Sequence, residues 1–219
     1  MTNTHVGAKI ASGDNCTWAS SGDRSSAISE GVYSAAASAG KQSKAASSDT
    51  SSMAASAGVG STATSNGEYC TSASSGPGST AKSQANYGAA AAAGESISAV
   101  SEGTGSQAAS AGIKSTAESR GDCSCAVVSG RHGVAKAHDD MSTAVSCGTF
   151  GKASHEGTRG IAAVLGNFGR AMAGEKGLLI VCWWDDTDKR FRASVGYVGE
   201  DGITPNTWYK VDNGKIVPD

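Results

Sequence analysis

The chain has 219 residues, a formal net charge of −2, 38% hydrophobic residues, 5% aromatic residues and 30 glycines. Much of the apolar fraction is alanine, and Leu, Ile, Val and Phe, which fill an ordinary close-packed core, are scarce. Composition therefore favours either a repetitive fold or disorder over a conventional globular domain. The low net charge offers no basis for broad electrostatic binding to nucleic acid or to an anionic membrane surface.

The first residues carry no basic segment followed by an apolar one, so no signal peptide is expected. No apolar run approaches the roughly 20 residues that cross a bilayer as a helix. The sequence therefore predicts a cytoplasmic protein with no membrane partner.

A nine-residue repeat dominates the chain. From Gly13 to Gly166, glycine recurs at intervals of nine or eighteen residues. Asp49, Ala85 and Asp139 occupy the first position of the units that lack this glycine. Extending the register back to Thr4 gives nineteen units across residues 4–174, sixteen of which have alanine at position six. A disordered chain has no need of such a register, so the repeat favours a solenoid.

Within each unit, positions four, six and eight are small and nearly constant, whereas positions five, seven and nine vary. This period of two is typical of a strand with one inward face, and the glycine at position one is typical of a tight turn. Nine residues are too few to close a coil, but two units suffice. We predict an all-β fold, a parallel two-sheet β-solenoid with 18 residues per coil. Its inward serines need hydrogen-bond partners from each other or from the backbone.

The outward residues test the 18-residue coil, because it places odd and even units on opposite faces. Odd units, counted from Thr4, carry ten charged residues at positions five, seven and nine, and even units carry none there. We predict that the uncharged even face is the interface of a homo-oligomer, since isologous pairing closes such a patch most simply. The predicted interface residues are Ala37, Met53, Ala55, Ala73, Ala91, Ala109, Val127, Val145 and Ala163. A flat face that stays hydrated is the alternative.

Three tyrosines, Tyr33, Tyr69 and Tyr87, occupy position three of even units. The coil predicts that they rise along one edge of the rod. Ring stacking along a solenoid turn explains them structurally, and an edge-binding stripe is the functional alternative.

Both ends of a solenoid need caps, because open strand edges pair with other chains. Trp18 replaces the usual alanine near the start and is predicted to plug the N-terminal end. Composition changes near residue 175, so residues 4–174 are assigned to the solenoid and residues 175–219 to a small β-hairpin cap. Strands are expected at 177–184 and 190–198, followed by a hairpin around Asn213-Gly214. Trp183, Trp184 and Trp208 are predicted to form the cap core, with a ligand site as the alternative.

Motifs of catalysis or metal binding are weak. The turns lack the paired glycines and regular aspartates of calcium-binding nonapeptide solenoids. Cys123 and Cys125 lie near His132 and His138 in sequence, but the register scatters them over different units. We therefore predict no metal, no cofactor and no catalytic residue. An enzyme in the cap is an alternative without a convergent set of acid, base and nucleophile.

The units at residues 157–165 and 166–174, and the tail segments at 176–181 and 206–215, resemble nonapeptide-repeat proteins of bacteriophages and prophage-bearing bacteria, whose tail is of a Thr-Trp-Tyr type. The resemblance covers nearly the whole chain and implies a phage or prophage setting, and from that setting a role in inhibiting or sequestering a component of host defence, with a host protein as partner. The alternatives are a structural phage component and an ice-binding solenoid. Ice binding would favour regular Thr-x-Thr ranks, whereas Thr17, Thr71 and Thr143 are isolated on the even face.

Overall fold

A computed structural model describes residues 8–219, and every regular element in that range is a β-strand. The strands form two sheets, one of twelve strands and one of eleven. The odd sheet contains β1 (Ala8–Ser12), β3 (Ser26–Glu30), β5 (Lys44–Ser48), β7 (Thr62–Asn66), β9 (Thr80–Gln84), β11 (Ser98–Glu102), β13 (Thr116–Arg120), β15 (Val134–Ala137), β17 (Lys152–His155), β19 (Arg170–Met172), β22 (Tyr209–Asp212) and β23 (Lys215–Pro218).

The even sheet lies behind it and is built from the alternate strands. It contains β2 (Thr17–Ser21), β4 (Ala35–Ala39), β6 (Met53–Ala57), β8 (Thr71–Ser75), β10 (Ala89–Ala93), β12 (Gln107–Ala111), β14 (Cys125–Ser129), β16 (Thr143–Ser146), β18 (Ile161–Val164), β20 (Leu178–Asp185) and β21 (Arg190–Tyr197).

Each repeat strand pairs in parallel with the strand of the next coil, 18 residues away. Ala91, for example, lies between Ala73 and Ala109 in the even sheet. The predicted all-β, two-sheet solenoid with 18 residues per coil is confirmed.

The core consists of the small residues at positions four, six and eight. Ala27, Ala63, Ala99, Ala117 and Ala144 are all fully buried at position six. Each alanine contributes little apolar area by itself, so the stability of the rod depends on many stacked neighbours.

The close approach of the turns of successive coils explains why position one is glycine. A Cβ on Gly112 would lie 1.8 Å from the carbonyl oxygen of Gly94 in the preceding coil, and the φ of Gly112 is +138°. Position three is also left-handed, at φ 57° in Tyr33 and 55° in Cys123. Because non-glycine residues rarely adopt this conformation, the backbone at position three is unusually constrained, a property that the variable sequence there does not reveal.

Inward serines find partners in only part of the core. The hydroxyls of Ser79 and Ser115 donate to the position-one carbonyl three residues earlier, at 2.6 and 2.8 Å. Among the described residues, the hydroxyls of Ser56, Ser74 and Ser110 have no protein partner. The prediction that the inward serines are satisfied by neighbouring groups therefore holds only for some turns.

The two ends of the described solenoid differ. Trp18 is half-buried against the alanine cluster that begins at Ala27, as a plug at this end requires, and the predicted start of the repeat at Thr4 lies outside the described residues. At the other end β20 still pairs in parallel with β18, so solenoid pairing extends past the boundary predicted at residue 174. Strand β21 then pairs antiparallel with β20, and the β22–β23 hairpin turns at Asn213-Gly214 as predicted.

Candidate interaction surfaces

The even face is the outward surface of the even sheet, formed by positions five, seven and nine of β2 to β18. None of these positions holds Asp, Glu, Lys or Arg. The predicted residues Ala37, Ala55, Ala73, Ala91 and Ala109 are exposed there in one row. Met53 is 58% exposed beside them, and Val127 and Val145 are half-buried further along the same face. The structure therefore brings these eight residues together on one surface.

Ala163 is the exception among the predicted interface residues. It occupies the same row but is only 6% exposed. Its paired neighbours are Val145 and Ile180, whose larger side chains cover the small methyl group. Ala163 therefore offers little surface of its own, and its larger neighbours form the surface at this point.

The C-terminal strands extend the even face beyond the repeat. Alternation along β20 and β21 directs Trp184, Phe191, Val195 and Tyr197 outward on the same side as Ile180. Trp184 is 38% exposed and meets Phe191 edge-to-face, with 5.2 Å between ring centroids. Trp184 therefore belongs to the surface, and its assignment to a cap core is wrong. The end of the repeat pattern indicated a cap here but gave no sign that the cap strands continue the even face.

A shallow apolar depression of about 420 Å³ lies in the middle of the even face. Ala73, Ala91, Ala109 and Val127 line it, together with neighbouring alanines and serines of β8 to β14. It forms because alanine side chains rise little above the sheet, whereas Met53 stands on one side and the large residues of β18 to β21 on the other. The even face thus combines a low centre with a raised C-terminal end.

The odd face, the outward surface of the odd sheet, is charged and internally paired. Glu102 contacts Lys82 at 3.1 Å and Arg120 at 3.4 Å, and Glu118 contacts Arg120 at 2.6 Å and His138 at 3.0 Å. A hydrogen bond from Gln84 holds the pKa of Glu102 below its usual range. Burial raises the pKa of Glu118, but the Arg120 guanidinium outweighs it and leaves that pKa lowered. The odd face therefore carries the charged side chains that the even face lacks.

The predicted row of tyrosines along one edge of the rod is only partly stacked. Tyr69 and Tyr87 stack with centroids 5.5 Å apart and an interplanar angle of 12°. Tyr33 is 67% exposed and is separated from Tyr69 by Ser51, which occupies position three of the coil between them. The structure therefore places the three tyrosines on one edge but stacks only two of them.

A second aromatic column, on the opposite edge, was not predicted. His132, Phe150 and Phe168 occupy position three of successive odd units and stack at 5.1 and 5.3 Å. The 18-residue spacing that aligns the tyrosines of the even units also aligns these three rings. The same signal in the sequence could therefore have predicted this column.

Candidate metal ligands do not converge in the described part of the chain. Among residues 8–219, no group of three His, Cys, Asp or Glu side chains lies close enough to hold a metal ion. Burial raises the pKa of Cys125 and of Cys182, which disfavours the reactive thiolate. Burial also lowers the pKa of His155, a fully buried residue whose Nε2 lies 3.0 Å from the carbonyl oxygen of Asp139.

The described residues contain no helix with the length and apolarity needed to cross a membrane. Comparison with protein-family models, with curated proteins and with solved structures finds no match to this chain.

Proposed function

We propose that this chain is a non-enzymatic β-solenoid that acts by presenting its even face as a rigid surface, for self-association and for partner binding. The observation that carries the proposal is the absence of charge from the outward side of eleven neighbouring strands, β2 to β21 of the even sheet. An uncharged surface of this extent on one side of a molecule marks a contact site.

The size of the face agrees with an interface between copies. Eleven strands at about 4.8 Å spacing and five residues of strand at about 3.3 Å per residue cover roughly 800 Å². A standard protein interface buries about 800 Å² on each partner. Two even faces packed together would therefore bury an area of the usual size without any other surface.

The rigidity of the face lowers the cost of binding. Every backbone group in its interior strands is held by ladder hydrogen bonds to two neighbours, and alanine, the commonest side chain on the face, has no rotamers to fix. Alanine contacts are individually weak, so affinity has to come from close fit over a wide area, with Trp184, Phe191 and Tyr197 as the large anchors.

Light scattering on a sizing column tests the proposal directly. The wild-type chain is expected to have a multiple of the 21.7 kDa chain mass, and Ala91→Lys is expected to shift it to the monomer because it places an unpaired charge in the centre of the face. The matched control is Ala46→Lys, the same substitution at the same repeat position on the odd face. A monomeric wild type, or equal effects of the two variants, would count against self-association.

The resemblance to phage and prophage repeat proteins indicates what kind of partner the even face binds. In that setting we propose that the even face also inhibits or sequesters a host defence component. Recovery of one host protein by the wild type but not by Ala91→Lys, from cells in which both are equally abundant, is the expected result. Recovery of the same protein by the wild type and by Ala91→Lys alike would mean that the partner binds a surface other than the even face.

A further inference from the structure

A cleft of about 1030 Å³ opens where β20 extends past the end of the repeat and overhangs one edge of the solenoid. Its walls come from three parts of the chain. The turn before β19 contributes Phe168, the extension of β20 contributes Trp183, and β22 contributes Lys210. The cleft lies on the edge that carries the second aromatic column and meets the extended even face at Trp184, which lines both. Its volume is at the upper end of the range for small-molecule sites.

The aromatic column ends in the cleft. Phe168 stacks on Phe150 with an interplanar angle of 17°, and Phe150 stacks on His132 with an angle of 9°. Phe168 is the last ring of the column and is 66% exposed. The solenoid thus repeats a ring-on-ring spacing of about 5 Å and leaves its last ring with an open face. A planar ring of a ligand would continue the column by offset stacking.

Each of the last two rings is followed two residues later by a cation. Phe150 precedes Lys152 and Phe168 precedes Arg170, and both cations line the cleft. On the other edge, Tyr69 and Tyr87 are followed at the same distance by Thr71 and Ala89. The pairing of ring and cation is therefore particular to the end of the column that opens into the cleft.

Two of the cleft's cations, Arg170 and Lys210, already converge on one oxyanion. The carboxylate of Asp219 lies 2.7 Å from Nε of Arg170 and 3.3 Å from Nζ of Lys210. Nζ of Lys152 lies 5.7 Å from the ring centroid of Trp208. The facing wall carries two carboxylates, and each has a cationic partner: Asp185 is paired with Arg192, and Asp186 lies 3.5 Å from Nζ of Lys189.

We propose that this cleft binds a mononucleotide, with the base stacked on Phe168 and the phosphate held by Lys152 and Arg170. Stacking tolerates any base, because every base has a π-face. The phosphate supplies the specificity, since Arg170 offers a planar donor fork and Lys152 a compact charge. A neutral aromatic compound satisfies only the stacking half of the site.

Calorimetric titration of the full chain with adenosine monophosphate, adenosine and inorganic phosphate tests the assignment. Adenosine monophosphate is expected to bind best, and its affinity to fall as salt is raised. Phe168→Ala is expected to weaken binding about tenfold, which corresponds to about 1.4 kcal/mol. Lys152→Gln is expected to weaken it severalfold and to reduce the salt dependence.

Matched controls separate the site from general effects. Tyr87→Ala removes an exposed ring at the same repeat position on the other edge, and Lys44→Gln removes a cation at the position of Lys152 in an earlier coil; both are expected to leave binding unchanged. Absence of binding by adenosine monophosphate at millimolar concentration would overturn the proposal, as would unchanged affinity in Phe168→Ala. Binding of a single-stranded oligonucleotide without binding of the mononucleotide would also overturn it, because the ligand would then be a polymer. None of these results bears on the even face, which light scattering tests independently.

Discussion

Replacing the position-one glycine tests what holds successive coils together. In Gly112→Ala, the new Cβ would lie 1.8 Å from the oxygen of Gly94, whereas even close carbon–oxygen contacts lie at about 3.3 Å. The two coils would have to separate by about 1.5 Å at this turn. Two ladder bonds join them there, from Gly94 N to the oxygen of Ala111 at 3.0 Å and from Ser96 N to the oxygen of Ile113 at 2.9 Å.

The expected cost follows from these contacts. Loss of two backbone hydrogen bonds contributes about 2 kcal/mol, and forcing alanine into a backbone region used almost only by glycine adds about 1–3 kcal/mol. A destabilisation of about 3–5 kcal/mol lowers the unfolding midpoint of a chain of this length by roughly 6–20 °C. Circular dichroism during heating measures this shift.

Gly78→Ala is the matched control. Gly78 also has a positive φ, of 67°, but a Cβ added there would meet nothing within 4 Å. It occupies position three, where Tyr87 adopts the same left-handed conformation at φ 56°. Its replacement is expected to cost at most about 1 kcal/mol, because the smaller entropy of the unfolded chain offsets part of the backbone penalty. Equal midpoints for the two variants would refute the argument that contact between coils requires glycine at position one.

Two further predictions concern the core and the odd face. Leu179→Ala is expected to destabilise the chain by about 2–5 kcal/mol in urea unfolding, because Leu179 is fully buried, whereas Leu178→Ala, at the half-buried outward neighbour, is expected to cost less. The pKa of Glu118 is lower in the folded chain than in the unfolded chain, so the unfolded chain binds a proton at this carboxylate more tightly. The free energy of unfolding is therefore expected to fall as the pH drops below about 4.5. Glu118→Gln is expected to flatten that acid limb and the exposed control Glu30→Gln to change it less; equal slopes in the two variants would contradict this role of the Arg120 contact.

The repeat made the fold predictable because one constraint recurs in every coil. Glycine at position one is required by contact with the coil below, and small residues at positions four, six and eight are required by the narrow space between the sheets. The even face was predictable for the same reason, since the 18-residue coil assigns every outward residue to a side. Both inferences needed only the period and the alternation of a strand.

The C-terminal end was less predictable because there the repeat gives no register. The side on which Trp184 lies depends on the parallel pairing of β20 with β18, and local hydrophobicity alone favoured a buried cap residue. The exposure of Ala163 depends on the sizes of Val145 and Ile180 in neighbouring coils. The cleft at Phe168 forms between segments that are distant in sequence, so no single sequence motif could have predicted it.

The same C-terminal strands give the strongest reason to regard the even face as a functional surface. Repeats can share an uncharged face simply because they share a sequence pattern, but β20 and β21 do not follow the nine-residue pattern. Charged residues in these two strands are Asp185, Arg190 and Arg192, and strand alternation places all three on the side opposite Trp184 and Phe191. Folding of a β-hairpin does not require charge to be kept from its solvent side, where a charged side chain is hydrated at little cost. Two segments of unrelated sequence thus exclude charge from one continuous surface, which is the pattern expected when that surface is covered by a partner.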